Sequence, residues 1–255
     1  MAKFLVIPVI IILGFASIFY VTSVKAKGDE AKKEIREKQR SSADITKQTF
    51  VLKIKDTEKS HNENENDKEN NAQCFNLVGE GVKIKIAADY FINAANSGMA
   101  ANDVELSVNA GAKVWETAAV NPNIFGASGQ DTSAVVNDSA MDGRSVITFA
   151  PITDANIVAV TNVWGRFKVA QDKREILEFD ITLNTASKWG DGSVDREVMD
   201  LQSVAANAFG HAAGLDGVSG KNCKSETTYR LINLGEIQKR DLAPGDIKGI
   251  QQLYK

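Results

Sequence analysis

From Phe4 to Val24 the chain carries no charged residue. As a helix rising about 1.5 Å per residue, this run spans about 31 Å, the thickness of a bilayer's hydrocarbon core. It therefore separates a membrane-directed start from a remainder that has to fold in water. A buried helix of a soluble domain fits poorly, because the run has no polar face and Pro8 and Gly14 weaken a soluble helix. Two readings stay open. The segment is an uncleaved membrane anchor, or it is a signal peptide cut after Ala26, with Val24 and Ala26 at the small-residue positions. Its length exceeds the about 7 to 15 residues of a signal core and favours the anchor. Lys3 on one side and Lys25 and Lys27 on the other leave the orientation unset. The expected location is membrane-anchored with the domain extracytoplasmic, or secreted if the segment is cleaved.

Past this segment, residues 28–73 read as a polar spacer, expected to be largely without fixed structure. Mixed charges from Gly28 to Arg40 suit an exposed juxtamembrane helix. Phe50 to Ile54 alternates like a strand, but Glu58 to Gln73 is nearly all Asn, Glu, Asp and Lys, too polar to offset its ordering entropy. His61 sits inside that tract and reads as solvated. With 30 basic against 33 acidic residues, the chain lacks the basic surface that nucleic acid requires, and that partner class is excluded.

The folded domain is expected over residues 74–255. Val82, Ile84 and Ile86 alternate with lysines as in a strand, and Val104, Val108, Ala112 and Trp115 recur at helical spacing between Asn102 and Ala118. Gly126 to Asp142 reads as loop. Val146 to Phe149, Ile157 to Val163 and Ile176 to Leu183 read as strands, followed by helices over Leu201 to Ala213 and Pro244 to Leu253. That order predicts an α/β (α+β) domain built on a mixed twisted sheet. The two cysteines, Cys74 and Cys223, suit one long-range disulfide formed in an oxidising compartment, with two unpaired buried thiols as the alternative. Neither has a neighbour at CxxC-like spacing, so they do not form a metal site by themselves.

Three motifs point further. Val204 to Gly217 reads VAANAFGHAAGLDG, Leu242 to Tyr254 reads LAPGDIKGIQQLY, and Ile157 to Trp164 reads IVAVTNVW ahead of EFDITLNT, from Glu178, and Trp189. In this order they resemble the active-site helix, closing helix, edge strand and following strand of the matrixin-type (metzincin) zinc metallopeptidases. The resemblance covers residues 74–255 and implies a metzincin-like twisted mixed sheet with an active-site helix and a C-terminal helix. In that family two histidines at i and i+4 share one helix face and hold zinc, and the glutamate after the first takes a proton from the metal-bound water. A third ligand follows a glycine turn, and a methionine turn floors the site.

Residue by residue, the helix framework of Phe209, Gly210, His211, Gly214 and Leu215 matches, whereas the chemistry does not. The first ligand position is Asn207, the general-base position is Ala208, the second ligand is His211 and the third is Gly217. Thr228, in the run TTYR, stands at the methionine-turn position. One of three ligands survives, and alanine cannot accept a proton from water. Asn207 is a neutral oxygen donor that suits hard cations better than zinc. Zinc belongs to the family, but none is expected at the active-site position of this chain. The expectation is an inactive matrixin-like domain, a pseudopeptidase, that accepts a peptide or protein ligand along the edge strand Ile157, Val158, Ala159, Val160, Thr161, Asn162 and Val163. The alternative is an active zinc endopeptidase with unorthodox ligands such as Asp216 and His211. The membrane is expected as a further partner, through the N-terminal segment.

Overall fold

The computed structural model describes residues 44–55, 73–120 and 123–255. The apolar run from Phe4 to Val24, the charged stretch after it and His61 lie outside these residues. Among the described residues no helix is long and apolar enough to cross a membrane.

The elements follow in chain order as β1 (Thr46–Ile54), β2 (Asn76–Leu77), β3 (Ala88–Asn93), α1 (Ala101–Ala118), β4 (Phe125–Gln130), β5 (Ser145–Ala150), β6 (Ile157–Arg166) and β7 (Glu175–Asn184). Then come β8 (Trp189–Gly190), β9 (Met199–Asp200), α2 (Leu201–Ala213), β10 (Leu215–Asp216), β11 (Leu231–Ile232) and α3 (Pro244–Leu253). The main sheet has the order β11-β1-β6-β7-β5-β3-β4. Strands β7, β5, β3 and β4 run parallel, while β6 is antiparallel to both β7 and β1. Among the described residues the chain forms the expected mixed α/β sheet with three helices.

Strands β5, β6 and β7 are rich in Val, Ile and Phe and are buried along most of their length, as strands covered on both faces must be. Helix α1 buries Val104, Val108, Ala112 and Trp115, the stripe its periodicity predicts. It crosses α2 at close range. A Cβ on Gly111 would fall 2.7 Å from Ala205 Cβ, and one on Gly210 would fall 2.5 Å from Trp115 Cζ2. Both glycines therefore permit the contact. Trp115 Nε1 then donates to the Ala206 carbonyl at 2.7 Å.

Two local expectations need correction. The strand expected over Val82 to Ile86 forms only one bridge, Ile84 to Ile176. Val82 N–H is taken by the Val78 carbonyl and Ile84 N–H by the Tyr254 hydroxyl, so neither is free for a ladder, and Ile86 is 83% exposed. The neighbouring strand is β3 instead, which buries Tyr90 and Ile92. Within the expected loop from Gly126, β4 pairs in parallel with β3. Its small residues hide the strand from a propensity reading, and Gly126 is required because a Cβ there would meet Asp89 Oδ1 at 2.1 Å.

The spacer expectation also fails for one stretch. Thr46–Ile54 lies within residues 28–73 yet forms a nine-residue strand of the main sheet. Its partner, β6, lies more than a hundred residues away, and the polar tract between hides the association from any local pattern.

Cys74 and Cys223 form a disulfide with Cα atoms 5.2 Å apart across 149 residues. It ties the start of the segment leading to β2 to the loop after α2. Closing a loop of that length stabilises the fold by about 5 kcal/mol in the chain-entropy account.

Candidate functional site

Helix α2 carries the motif and is buried over nearly all its length. It starts at Asp200, whose carboxylate accepts from Ser203 N–H at 2.9 Å and is bonded by Arg240. Phe209 points into an aromatic cluster, with ring centroids 5.2 Å from Tyr90, 4.8 Å from Phe125 and 5.6 Å from Phe179. The helix stops at Gly214, in the left-handed region at φ 109°, where a Cβ would lie 2.2 Å from the Val82 carbonyl oxygen. Only glycine fits such a C-terminal turn. The chain then enters β10, which pairs with β2 and brings Asp216 and Gly217 back past His211.

Of the three ligand positions, His211 alone keeps a histidine. Leu215 O accepts from Nδ1 at 2.9 Å, which fixes the proton on Nδ1 and leaves Nε2 as the acceptor of the neutral ring. Burial pushes its pKa down to about 4, with the nearby Lys239 charge acting in the same direction. The ring stacks on Phe50 of β1, centroids 4.4 Å apart and planes within 3°. A Cβ at Gly217 would meet His211 Cε1 at 3.8 Å, so the third-ligand position does face the imidazole, without a side chain.

The other positions have been put to structural use. Asn207 is buried, and its Nδ2 donates to Thr227 O at 2.8 Å and Tyr229 O at 3.5 Å. Ala208 is 1% exposed and belongs to the apolar core. Thr228, at the methionine-turn position, is fully buried and donates its hydroxyl to Asp246 Oδ1 at 3.1 Å. Asp246, from α3, also accepts from Thr227 N–H at 2.6 Å and Ala243 N–H at 3.1 Å. Asp216 is exposed, and its Oδ1 accepts from the adjacent Gly217 N–H at 2.7 Å.

A lysine that sequence reasoning missed completes this floor. Lys239 is 1% exposed, and its ammonium donates to the carbonyls of Glu226 at 3.0 Å, Thr227 at 3.3 Å and Tyr229 at 3.0 Å. Burial lowers its pKa to about 8, so it is largely charged at neutral pH. Two of its three carbonyl partners are those that Asn207 bonds. No periodicity or spacing marks a buried lysine in the run QKRD.

Zinc in a catalytic site needs three protein ligands and an open position. Among the described residues no group of three or more His, Cys, Asp or Glu side chains is placed to hold a metal ion. At the site itself there is one imidazole, an amide whose NH₂ is committed to carbonyls, a glycine, and a fixed ammonium bonded to the same carbonyls. These residues do not fit zinc.

The expected peptide-binding edge needs correction too. Ile157 to Val163 is not an edge, because β1 pairs with β6 on the side away from β7, from Thr46 opposite Gly165 to Lys53 opposite Ile157. The backbone groups that would bind a peptide already bind the chain's own strand.

A matrixin family model matches residues 147–255, from β5 through α2 to the chain's end. No curated protein matches the chain. Over that stretch, from the middle of the sheet through α2 to α3, the chain is similar to the matrixin peptidases.

Proposed function

We propose that this matrixin domain is a pseudopeptidase, which keeps the family's fold without its zinc chemistry. The observation that carries the reading is that α2 presents a single imidazole, His211, with no second ligand and no carboxylate at the base position. The buried amide of Asn207 donates to a carbonyl and the methyl of Ala208 packs in the core, which supports a helix whose site positions are satisfied without a metal. The competing reading, a working endopeptidase using Asp216 with His211, lacks a positioned base, and Asp216 is turned to its own neighbour's N–H. The test is hydrolysis of an unstructured protein by the purified chain, with and without chelator. No chelator-sensitive cleavage is expected. Cleavage that co-purifies with the chain and disappears with chelator contradicts the proposal.

The same reading places the domain outside the membrane, tethered by Phe4 to Val24, and the disulfide supports an oxidising compartment. Fractionation is expected to find the protein in membranes. A mature N-terminus at Lys27 establishes instead a cleaved signal peptide and a secreted protein.

A further inference from the structure

We infer that Thr46–Ile54 is a tethered peptide ligand of this domain: it fills a strand-receiving groove formed by β6 and His211, and a second extended segment of the same chemistry exchanges with it. The inference concerns the groove alone and holds whether or not the domain hydrolyses anything.

Three observations carry it. First, β1 joins the sheet by antiparallel pairing along β6, continuous from Thr46 to Leu52 and broken by a bulge before Lys53. Its other neighbour, β11, covers only Lys53 and Ile54. Main-chain pairing to one strand is how an added peptide is held. Second, β1 is the most lightly embedded of the long strands. Leu52 is its one buried side chain, whereas β6 and β7 are buried at most positions. Hydrophobic stabilisation scales with apolar area removed from water, so β1 contributes far less to the core than the strand it covers. Third, its contacts are those of a ligand with a register. Phe50 stacks on His211, Thr49 Oγ1 donates to Asn162 Oδ1 at 2.7 Å, and Lys47 Nζ donates to the Asp138 carbonyl at 2.7 Å. Phe50 and the two alternate positions after it, Leu52 and Ile54, pack against the core, as the period of a strand requires. The groove therefore selects an extended segment with an aromatic side chain over the imidazole and aliphatic ones two and four residues on.

The covalent connection makes a clean test. Residues 1–73 contain no cysteine, so a cut in the polar tract leaves β1 held by non-covalent contacts alone. A site-specific protease sequence is inserted after Glu63 in the full chain, the chain is cut, and a fluorescent peptide spanning residues 44–55 is added. The fragments are expected to stay together on size exclusion, and the labelled peptide to replace the N-terminal fragment. A peptide carrying Phe50→Ala is expected to compete about tenfold less well, the loss of one aromatic stack. Three results overturn the inference: fragments that separate from a still-folded domain that takes up no peptide; fragments that stay together and never exchange; and a domain that unfolds when the fragment leaves. The last two would make β1 an integral strand. None of these outcomes bears on zinc content or hydrolysis, so the pseudopeptidase reading stands or falls separately.

Discussion

Two faces of helix α2 differ in how closely they keep the motif. The face toward α1 and the sheet carries Phe209 in its aromatic cluster and Gly210 against Trp115, and both of these residues match the motif. Asn207 faces the carbonyls of the loop after α2, Ala208 lies in the core and His211 stacks on β1, and of these three only the histidine matches the motif. Packing and chemistry are thus separable within one short helix. A residue held by close contact cannot change without loss of the fold. Asn207 and Ala208 are held by a hydrogen bond to a carbonyl and by apolar packing, and neither contact calls for a metal.

The comparison is sharpened most by restoring the chemical face. Asn207→His, Ala208→Glu, Gly217→His and Thr228→Met together are expected to create zinc binding at micromolar metal, a gain of about 8 kcal/mol. Glu at 208 is expected to be required for any turnover, and turnover on added substrate to stay weak while β1 covers β6. Elemental analysis and single-site reversions check each role. A folded variant that binds no zinc breaks the residue-by-residue correspondence on which the comparison rests.

The packing face predicts the next largest effect. Gly214→Ala places a Cβ 2.2 Å from a backbone oxygen at a left-handed φ of 109°, and about 4 kcal/mol or more of stability should be lost. Gly217, three residues on, has no atom closer than 3.8 Å to an added Cβ, so Gly217→Ala should shift stability by less than about 1 kcal/mol. Urea titration of the two variants sets the faces side by side. Equal effects would remove the distinction.

His211 is buried between Phe50 and the Leu215 carbonyl, and pH reads its contribution. Its folded pKa of about 4 lies below the ordinary value of 6.5, so between these values the unfolded chain holds the proton and the folded chain does not. Stability from this group is present above pH 6.5 and is lost as pH falls toward 4, by about 3 kcal/mol in all. His211→Gln should flatten the difference across that window, measured as the urea midpoint against pH for the two proteins.

A smaller loss than at Gly214 or His211 is expected at Asn207. Asn207→Ala deletes its bonds to Thr227 O and Tyr229 O, but Lys239 Nζ still reaches both carbonyls. The loss should be about 1 to 2 kcal/mol, and larger in a Lys239→Met background, where neither donor remains. A thermal-melt double-mutant cycle measures that coupling.

Much of this molecule was legible in the sequence because the informative features are local. The bounds of α2 and α3 follow from periodicity and from their flanking glycine and proline, and the replaced positions are read directly against the motif. What escaped depends on contacts made at long range. Phe50 alternates like a strand residue, yet nothing local says that its strand crosses to β6 and lays the ring on His211. Lys239 is polar in sequence and buried in the fold, because three carbonyls converge on it only after the loop is closed by Asp246 and the disulfide. The strand β4 looks like loop in sequence because its glycines and serine carry no propensity for the edge they occupy.

Whether α2 makes a zinc site is decided by the zinc content of the full chain, purified, equilibrated with micromolar zinc and desalted, by elemental analysis. Only trace zinc per chain is expected, unchanged in His211→Gln. Close to one zinc per chain, lost in His211→Gln, would contradict that expectation.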